Sequence, residues 1–195
     1  MAGRKDIVTA AILASGNGSN AENILRHAQK HPGRIEIPLV VCNKADAYVI
    51  ERARALGVHC EVLVREGSRA EHEEAVLGVL KKQGINWIFL AGYMAILSPA
   101  FIAAYPSRIV NIHPSLLPQF PGKDGYGDAF RAGVATSGVT LHYVDEGIDT
   151  GPVIAQKTFR RFPGDTLETF RAHGMELEHQ LYREFIDSLA RRAAA

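Results

Sequence analysis

The feature that most constrains the fold is the alternation of short apolar segments with helical patterns across the first half of the chain. The apolar segments are Ile7–Leu13, Ile35–Cys42, Cys60–Val64 and Trp87–Leu90, and an amphipathic pattern separates each from the next. Such alternation is typical of parallel strands joined by helical crossovers, with helices on both faces of the sheet. We therefore predict an α/β fold whose N-terminal half is a doubly wound, mostly parallel, Rossmann-like sheet.

The second half of the chain has a different pattern. Gly138–Val144 and Pro152–Phe162 are strand candidates that only a loop separates, which predicts an antiparallel or mixed extension of the sheet. Thr166–Arg191 has apolar residues at helical spacing and is predicted to be a long C-terminal helix. Its buried stripe is expected to consist of Phe170, Gly174, Leu177, Leu181, Phe185 and Leu189.

Charge and cysteine usage exclude several classes of protein. The 22 basic and 21 acidic residues give a formal charge of +1, so we expect neither a nucleic-acid nor a membrane partner. Cys42 and Cys60 form no C-x-x-C pair, and we interpret both as reduced core residues of a cytoplasmic protein. These properties leave a monomer and a homodimer equally open.

The segment Asn111–Pro118, with the sequence Asn-Ile-His-Pro-Ser-Leu-Leu-Pro, follows an apolar strand candidate. Asn111 and His113 lie two residues apart, so on an extended strand their side chains share a face. An amide that stabilises an oxyanion beside an imidazole that handles protons suits attack on a carbonyl group. The alternative is a buried Asn and His that hold a loop in place, which is the commoner situation for an isolated Asn-x-His pattern.

Two loops are candidates for contact with a ligand. Ser15–Asn20 is Gly-rich and lies between a strand and a helix, where free backbone N–H groups favour a phosphate. It matches neither a P-loop nor G-x-G-x-x-G, and the alternative is an ordinary turn. Asp145–Pro152 brings carboxylates that can point at His113 and favour its imidazolium form, although a solvated loop or a metal site is also compatible. His142, just before this loop, is interpreted as a supporting residue.

Three further sequence features are candidates for a role in ligand binding. Ala91–Ser98 is apolar where a strand ends, which fits either a slot for a flat aromatic ligand or core packing. Arg69, near the start of a helix, is either a surface charge or a contact to an anion. Gly122–Gly127 is interpreted as a mobile, Gly-rich loop that can close over a site.

These motifs, in this order and at these separations, resemble the glycinamide ribonucleotide transformylases (phosphoribosylglycinamide formyltransferases) over nearly the whole chain. The resemblance implies transfer of a formyl group from 10-formyltetrahydrofolate to the amine of glycinamide ribonucleotide in purine biosynthesis. It implies no metal and no covalent enzyme intermediate. It also implies a single formyltransferase domain over 1–195, with a phosphate-binding half at about 7–110 and a catalytic and folate half at about 111–195.

The resemblance carries functional roles to individual positions. The catalytic residues it implies are Asn111, His113 and Asp149. The ribonucleotide contacts it implies are Gly18, Ser19, Asn20 and Glu178. The folate contacts it implies are Arg69, Met94, Ile96, Leu97, Val144 and Asp145. The chain departs from some members at Ala95, where they have arginine, and at Lys123-Asp124, where they have a histidine-containing segment.

Three alternative functions remain. Methionyl-tRNA formyltransferase and formyltetrahydrofolate hydrolase share the Asn-x-His and Asp pattern. The near-neutral charge disfavours the first, and the short segment Met1–Asp6, with no room for a regulatory domain, disfavours the second. A non-catalytic nucleotide-binding module is least expected, because binding alone needs no group that transfers protons.

Overall fold

The computed structural model of the protein describes residues 7–193, so Met1–Asp6 lies outside the described part. One seven-stranded sheet runs through it. The strands are β1 (Val8–Ala14), β2 (Ile35–Cys42), β3 (His59–Val62), β4 (Trp87–Leu90), β5 (Ile109–His113), β6 (Thr136–Tyr143) and β7 (Val153–Arg160). The helices are α1 (Ser19–Ala28), α2 (Val49–Ala55), α3 (Arg69–Lys82), α4 (Pro99–Ala104), α5 (Gly125–Arg131) and α6 (Leu167–Arg192).

The strand order is β3-β2-β1-β4-β5-β6-β7. The first five strands of the chain pair in parallel, whereas β6 pairs antiparallel with both β5 and β7. The predicted fold class, a mostly parallel doubly wound sheet with an antiparallel extension and a long last helix, is therefore confirmed. Between β1 and β4 the direction of winding reverses, which is where open α/β sheets form a ligand crevice.

Each face of the sheet has its own apolar core, because successive strand residues point to opposite sides. In β1, Ile12 packs with α1, α5 and α6, while Leu13 packs with α3 and α4. The C-terminal helix contributes most to the first core, and its buried residues include Phe170, Leu181 and Phe185. The predicted stripe on this helix is confirmed apart from Leu177, which is half-buried.

Helix starts follow the capping signals in the sequence. Ser68 and Glu71 form the predicted capping box at α3, in which the Ser68 hydroxyl accepts from the Glu71 N–H and the Glu71 carboxylate accepts from the Ser68 N–H. Thr166 and Thr169 make the same reciprocal pair at α6. Both cysteines are free, and Cys42 is buried while Cys60 is half-buried. None of the helices within residues 7–193 has the length and apolarity needed to span a membrane.

One segment was predicted wrongly. Gly125–Gly127, expected to belong to a mobile loop, forms the first turn of α5 and is buried. The Asp124 carboxylate caps this turn by accepting from the Gly127 N–H at 3.2 Å. Two glycines make this helical turn unfavourable in isolation. It is stabilised in the folded protein because the Tyr126 side chain packs against α6.

Candidate active site

A cavity of about 800 Å³ opens at the carboxyl ends of β1, β4 and β5. Its walls come from the start of α1, the segment after β4, the end of β5 and the loop between β6 and β7. The reversal of winding leaves the ends of these strands uncovered by a crossover helix, so side chains that follow different strands meet there. Ten of the thirteen predicted site residues line it: Asn20, Met94, Ile96, Leu97, Asn111, His113, Val144, Asp145, Asp149 and Glu178.

His113 is buried at the end of β5, and both nitrogens of its ring face acceptors. Nε2 lies 2.8 Å from the carbonyl oxygen of Phe120, and Nδ1 lies 3.2 Å from Oδ2 of Asp149. A carbonyl oxygen can only accept, so the Nε2 nitrogen carries a proton. The Asp149 carboxylate is also an acceptor, so it can take a hydrogen bond from Nδ1 when that nitrogen carries a proton.

Asn111 is oriented by a neighbour on the adjacent strand. Asn111 and His142 are paired across β5 and β6, and the Asn111 amide nitrogen lies 3.2 Å from Nε2 of His142. His142 donates from Nδ1 to its own chain at the Tyr143 carbonyl (2.8 Å), which leaves Nε2 as an acceptor. Burial lowers the pKa of His142 and keeps it neutral. The second N–H of the Asn111 amide remains for a ligand in the cavity.

Asp149 adopts a backbone conformation that few side chains tolerate. Its φ is +55°, in the left-handed region that Asp and Asn enter more readily than other non-glycine residues. Its Oδ2 accepts from the Gly122 N–H at 2.8 Å while also facing His113. Two separate segments thus hold the carboxylate, and a rare local conformation that contacts fix in this way is typical of a functional site.

Glu178 is a buried carboxylate clamped from two sides. Tyr126 donates its hydroxyl to Oε1 at 2.5 Å, and Asn20 donates its amide to Oε2 at 2.5 Å. Burial raises the pKa of Glu178, although both hydrogen bonds act in the opposite direction. The clamp joins α1, α5 and α6 at one end of the cavity and presents a fixed acceptor to a ligand.

The start of α1 presents backbone N–H groups beside this clamp. Gly18 precedes the helix with φ +79° and has no side chain that could cap the first N–H groups of α1. A Cβ at this position would lie 2.5 Å from Cγ2 of Val49, so only glycine allows this approach of the loop to α2. Gly18 and Ser19 do not line the cavity themselves, whereas Asn20 does.

The other end of the cavity is apolar and open. Met94, Ile96 and Ile148 are 62%, 64% and 55% exposed, although each lines the cavity. Leu97 is buried beneath them. Exposed apolar side chains gathered around a concave surface are typical of a ligand site.

Arg69 lies outside the cavity lining. Its guanidinium donates to Oε1 of Glu73 at 3.1 Å, and Glu73 also accepts from the Ser98 N–H at 2.8 Å. This network connects α3 to the end of the apolar segment 94–97. In this structure Arg69 therefore supports the wall through Glu73 and does not face the cavity.

Three cavity residues with polar groups were not predicted as site residues from the sequence: Lys44, Tyr93 and Tyr126. Tyr126 was assigned to a loop, and its partner Glu178 is 52 positions away in sequence. Lys44 lies in the turn after β2. A cation next to the carboxyl end of a strand is the sequence feature that could have predicted it as a cavity residue. Lys123, at which the chain departs from some relatives, also lines the cavity.

Comparisons with known proteins agree with this geometry. Residues 8–186 match the family model described as formyl transferase. Phosphoribosylglycinamide formyltransferase of Bacillus subtilis (strain 168) is 44% identical over 181 residues, which is 92% of this chain and 93% of that protein.

Two crystal structures extend the likeness to three dimensions. Phosphoribosylglycinamide formyltransferase from Streptococcus pneumoniae TIGR4 is 43% identical with a TM-score of 0.86, over 94% of this chain and 99% of that one. Glycinamide ribonucleotide transformylase 1 from Symbiobacterium toebii is 36% identical with a TM-score of 0.91, over 95% and 88% of the two chains. Because the match to the family model spans nearly the whole described chain, this protein belongs to the formyl transferase family.

Proposed function

We propose that this enzyme transfers the formyl group of 10-formyltetrahydrofolate to the amine of glycinamide ribonucleotide in de novo purine biosynthesis. The observation that carries the proposal is the position of Asn111 beside His113, whose two ring nitrogens face Phe120 and Asp149. The relatives named phosphoribosylglycinamide formyltransferase support the same substrates.

In the proposed reaction the substrate amine attacks the formyl carbon directly. The carbonyl oxygen becomes an oxyanion, which the Asn111 amide and the protonated His113 stabilise. Asp149 orients the His113 ring through its contact with Nδ1 and takes part in removing the proton from the attacking nitrogen. A proton passes to the folate nitrogen as its bond to the formyl carbon breaks, so no covalent intermediate forms on the enzyme. No step in this scheme requires a metal.

The two ends of the cavity accommodate the two substrates. The start of α1, with Gly18, Ser19 and Asn20, binds the phosphate of the ribonucleotide through N–H groups, and Glu178 accepts from a hydroxyl of the sugar. The folate occupies the apolar end, against Met94, Ile96, Leu97 and Val144, with Asp145 at its edge. Arg69 supports this wall through Glu73.

Domain organisation and location follow from the same proposal. The phosphate-binding half covers about 7–110, and the half that bears the catalytic residues covers about 111–195. The free thiols of Cys42 and Cys60 fit a reducing compartment and support a cytoplasmic location.

The test follows the absorbance of the deformylated folate during incubation with 10-formyltetrahydrofolate, with and without glycinamide ribonucleotide. We expect release that depends strictly on the ribonucleotide and falls by at least a hundredfold in Asp149→Asn. Asp165→Asn, a change of the same type in the turn before α6 and outside the cavity, serves as the matched control. Release without the ribonucleotide would establish a hydrolase, and formylation of methionyl-tRNA in its place would establish the tRNA enzyme.

A further inference from the structure

A cluster of three potential metal ligands lies away from the cavity, between α1 and α6. His27 is in the last turn of α1, His31 follows in the turn after that helix, and Asp187 is on α6. Nε2 of His27 lies 2.7 Å and Nε2 of His31 lies 2.8 Å from the same oxygen, Oδ1 of Asp187. None of the three residues lines the cavity.

The cluster has the properties of a built site rather than of an incidental surface ion pair. The two histidines are four residues apart, and the turn that follows α1 brings the His31 ring back beside the His27 ring. Their rings meet edge to face with centroids 5.5 Å apart, so both Nε2 atoms converge on one point. All three donor atoms lie within 4.8 Å of one another. The side chains are 12%, 22% and 36% exposed, so the point of convergence is sheltered and still open to solvent.

The charge at the cluster suits a cation. The Asp187 carboxylate brings a negative charge to the point where the two Nε2 atoms meet. Arg183, a cation one turn earlier on α6, donates to Oδ1 of Asn23 at 2.8 Å. Among the residues that the structure describes, no salt bridge joins Arg183 to Asp187.

We propose that His27, His31 and Asp187 form a binding site for a divalent transition metal ion of the zinc type. Two imidazole nitrogens and one carboxylate oxygen are three ligands that Zn²⁺ prefers, and solvent completes a four-coordinate shell. On binding, the metal takes the place of the proton on each Nε2 nitrogen. A neutral imidazole then carries its proton on Nδ1, and a protonated one releases a proton to solvent. Metal–ligand bonds of about 2.0 Å require the donors to move apart by roughly 0.5 Å from their present contacts.

The site would connect the two helices that hold the ribonucleotide end of the cavity. His27 follows Asn20 by about two turns of α1, and Asp187 follows Glu178 by about two and a half turns of α6. The hydrogen bond between Asn20 and Glu178 spans the same pair of helices. A metal ion at the cluster therefore restrains the interface from which both substrate-binding groups project, without itself touching the substrate.

The experiment uses the full chain after treatment with a chelator and removal of the chelator. We expect Zn²⁺ to bind in a 1:1 ratio by calorimetry and to raise the melting temperature, because a ligand that binds only the folded state stabilises it. We expect Co²⁺, used as a spectroscopic probe, to give the intense visible absorption of four-coordinate cobalt. His31→Ala and Asp187→Asn should each weaken Zn²⁺ binding at least tenfold and remove the cobalt spectrum.

The matched control is His59→Ala, which removes a histidine that contacts a single carboxylate, Glu61, at 2.9 Å and has no third ligand nearby. It should leave the stoichiometry, the affinity and the cobalt spectrum unchanged. His31 is the more exposed of the two histidines in the cluster, and circular dichroism verifies that its variant is folded. Absence of 1:1 binding in the unaltered protein, or binding that His31→Ala and Asp187→Asn leave intact, would overturn the proposal. Formyl transfer is measured separately, so either result is independent of the proposed catalytic function.

Discussion

The two ends of the cavity are built on opposite physical principles. At the end that we propose for the ribonucleotide, hydrogen bonds already hold the polar groups, as in the clamp of Glu178 between Tyr126 and Asn20. At the end that we propose for the folate, Met94 and Ile96 are more than 60% exposed. The polar end is organised before a ligand arrives, whereas the apolar end gains its stabilisation when a ligand covers it.

This difference predicts different consequences for substitutions. Groups fixed in advance can stabilise charge that develops during the reaction, so the loss of one that contacts the reacting atoms should lower turnover, and the loss of one that holds a substrate should raise its KM. Exposed apolar groups contribute through burial, so their loss should weaken folate binding and leave turnover nearly unchanged. Asn111 and His113, which we propose to be catalytic, are groups that contact the reacting atoms.

The largest effect is expected for Asn111→Ala. Loss of one oxyanion donor should reduce kcat by about 10²–10³ while the KM of each substrate changes little. Steady-state kinetics with both substrates measures this. Asn86→Ala, which alters an asparagine at the opposite end of the sheet, is the control and should leave kcat within a factor of about two. Near-normal turnover in Asn111→Ala would show that the amide does not contact the reacting oxygen.

A smaller effect is expected for Ile96→Ala at the apolar end. Loss of side-chain area that the folate covers should cost on the order of 1.4 kcal/mol, which is about a tenfold rise in the KM for folate. The kcat should stay nearly constant. Val153→Ala truncates a side chain on β7 that is also exposed, at 51%, and that does not line the cavity. An equal change of the KM for folate in Ile96→Ala and Val153→Ala would contradict the proposed difference between the two ends of the cavity.

Tyr126→Phe tests whether the clamp acts on ribonucleotide binding. Without its hydroxyl donor Glu178 is held only by Asn20, and a lost hydrogen bond of this kind costs about 1 kcal/mol. We expect a rise of about fivefold in the KM for glycinamide ribonucleotide, with the KM for folate unchanged. Tyr105→Phe, at the C-cap of α4, is the matched control and should leave both KM values unchanged. A loss of turnover with unchanged KM would instead place Tyr126 in the catalytic step.

The smallest effect concerns stability. Because burial raises the pKa of Glu178, its ionised form disfavours the folded state, and stability decreases as pH rises from the ordinary carboxyl value of 4.5 towards the folded pKa. Glu178→Gln removes this term and keeps the shape of the side chain. Urea unfolding at pH 7 should show a gain in unfolding free energy of about 1 kcal/mol that disappears as the pH falls to 4.5, together with weaker ribonucleotide binding.

Glu184→Gln is the control for this measurement. Glu184 is half-exposed on the same helix and pairs with Lys157 at 3.0 Å, so its replacement should change the unfolding free energy by less than about 0.5 kcal/mol. A loss of stability in Glu178→Gln would mean that the ionised carboxylate is favourable where it lies.

Local sequence patterns predicted helix and strand correctly where the spacing of apolar residues matches the side of the element that is buried. β4 is a continuous apolar run, β1 is apolar except for Thr9, and the last helix has apolar residues at a spacing of four. The placement of Asn111 and His113 at the end of one strand could be predicted for the same reason, because strand residues at positions i and i+2 share a face.

The start of α5 shows where local patterns fail. Gly125, Tyr126 and Gly127 have poor helical propensity, and the sequence predicts a loop there. The helix exists because the Tyr126 ring fills space that Gly174 leaves on α6, where a Cβ would lie 2.3 Å from the Tyr126 hydroxyl. No local sequence pattern can predict the packing of Tyr126 against Gly174, because the two residues are far apart in the chain.

By itself, the sequence determined the strands, the long helix, the placement of Asn111 with His113 and the family of the chain, because each depends on neighbouring residues or on a motif in fixed order. Only the tertiary structure decided which distant groups meet: Asp149 with His113, Tyr126 with Glu178, and His27 and His31 with Asp187. The physical reason is that burial, hydrogen-bond partners and ligand geometry are properties of contacts between elements, and the packing of the sheet and its helices creates those contacts.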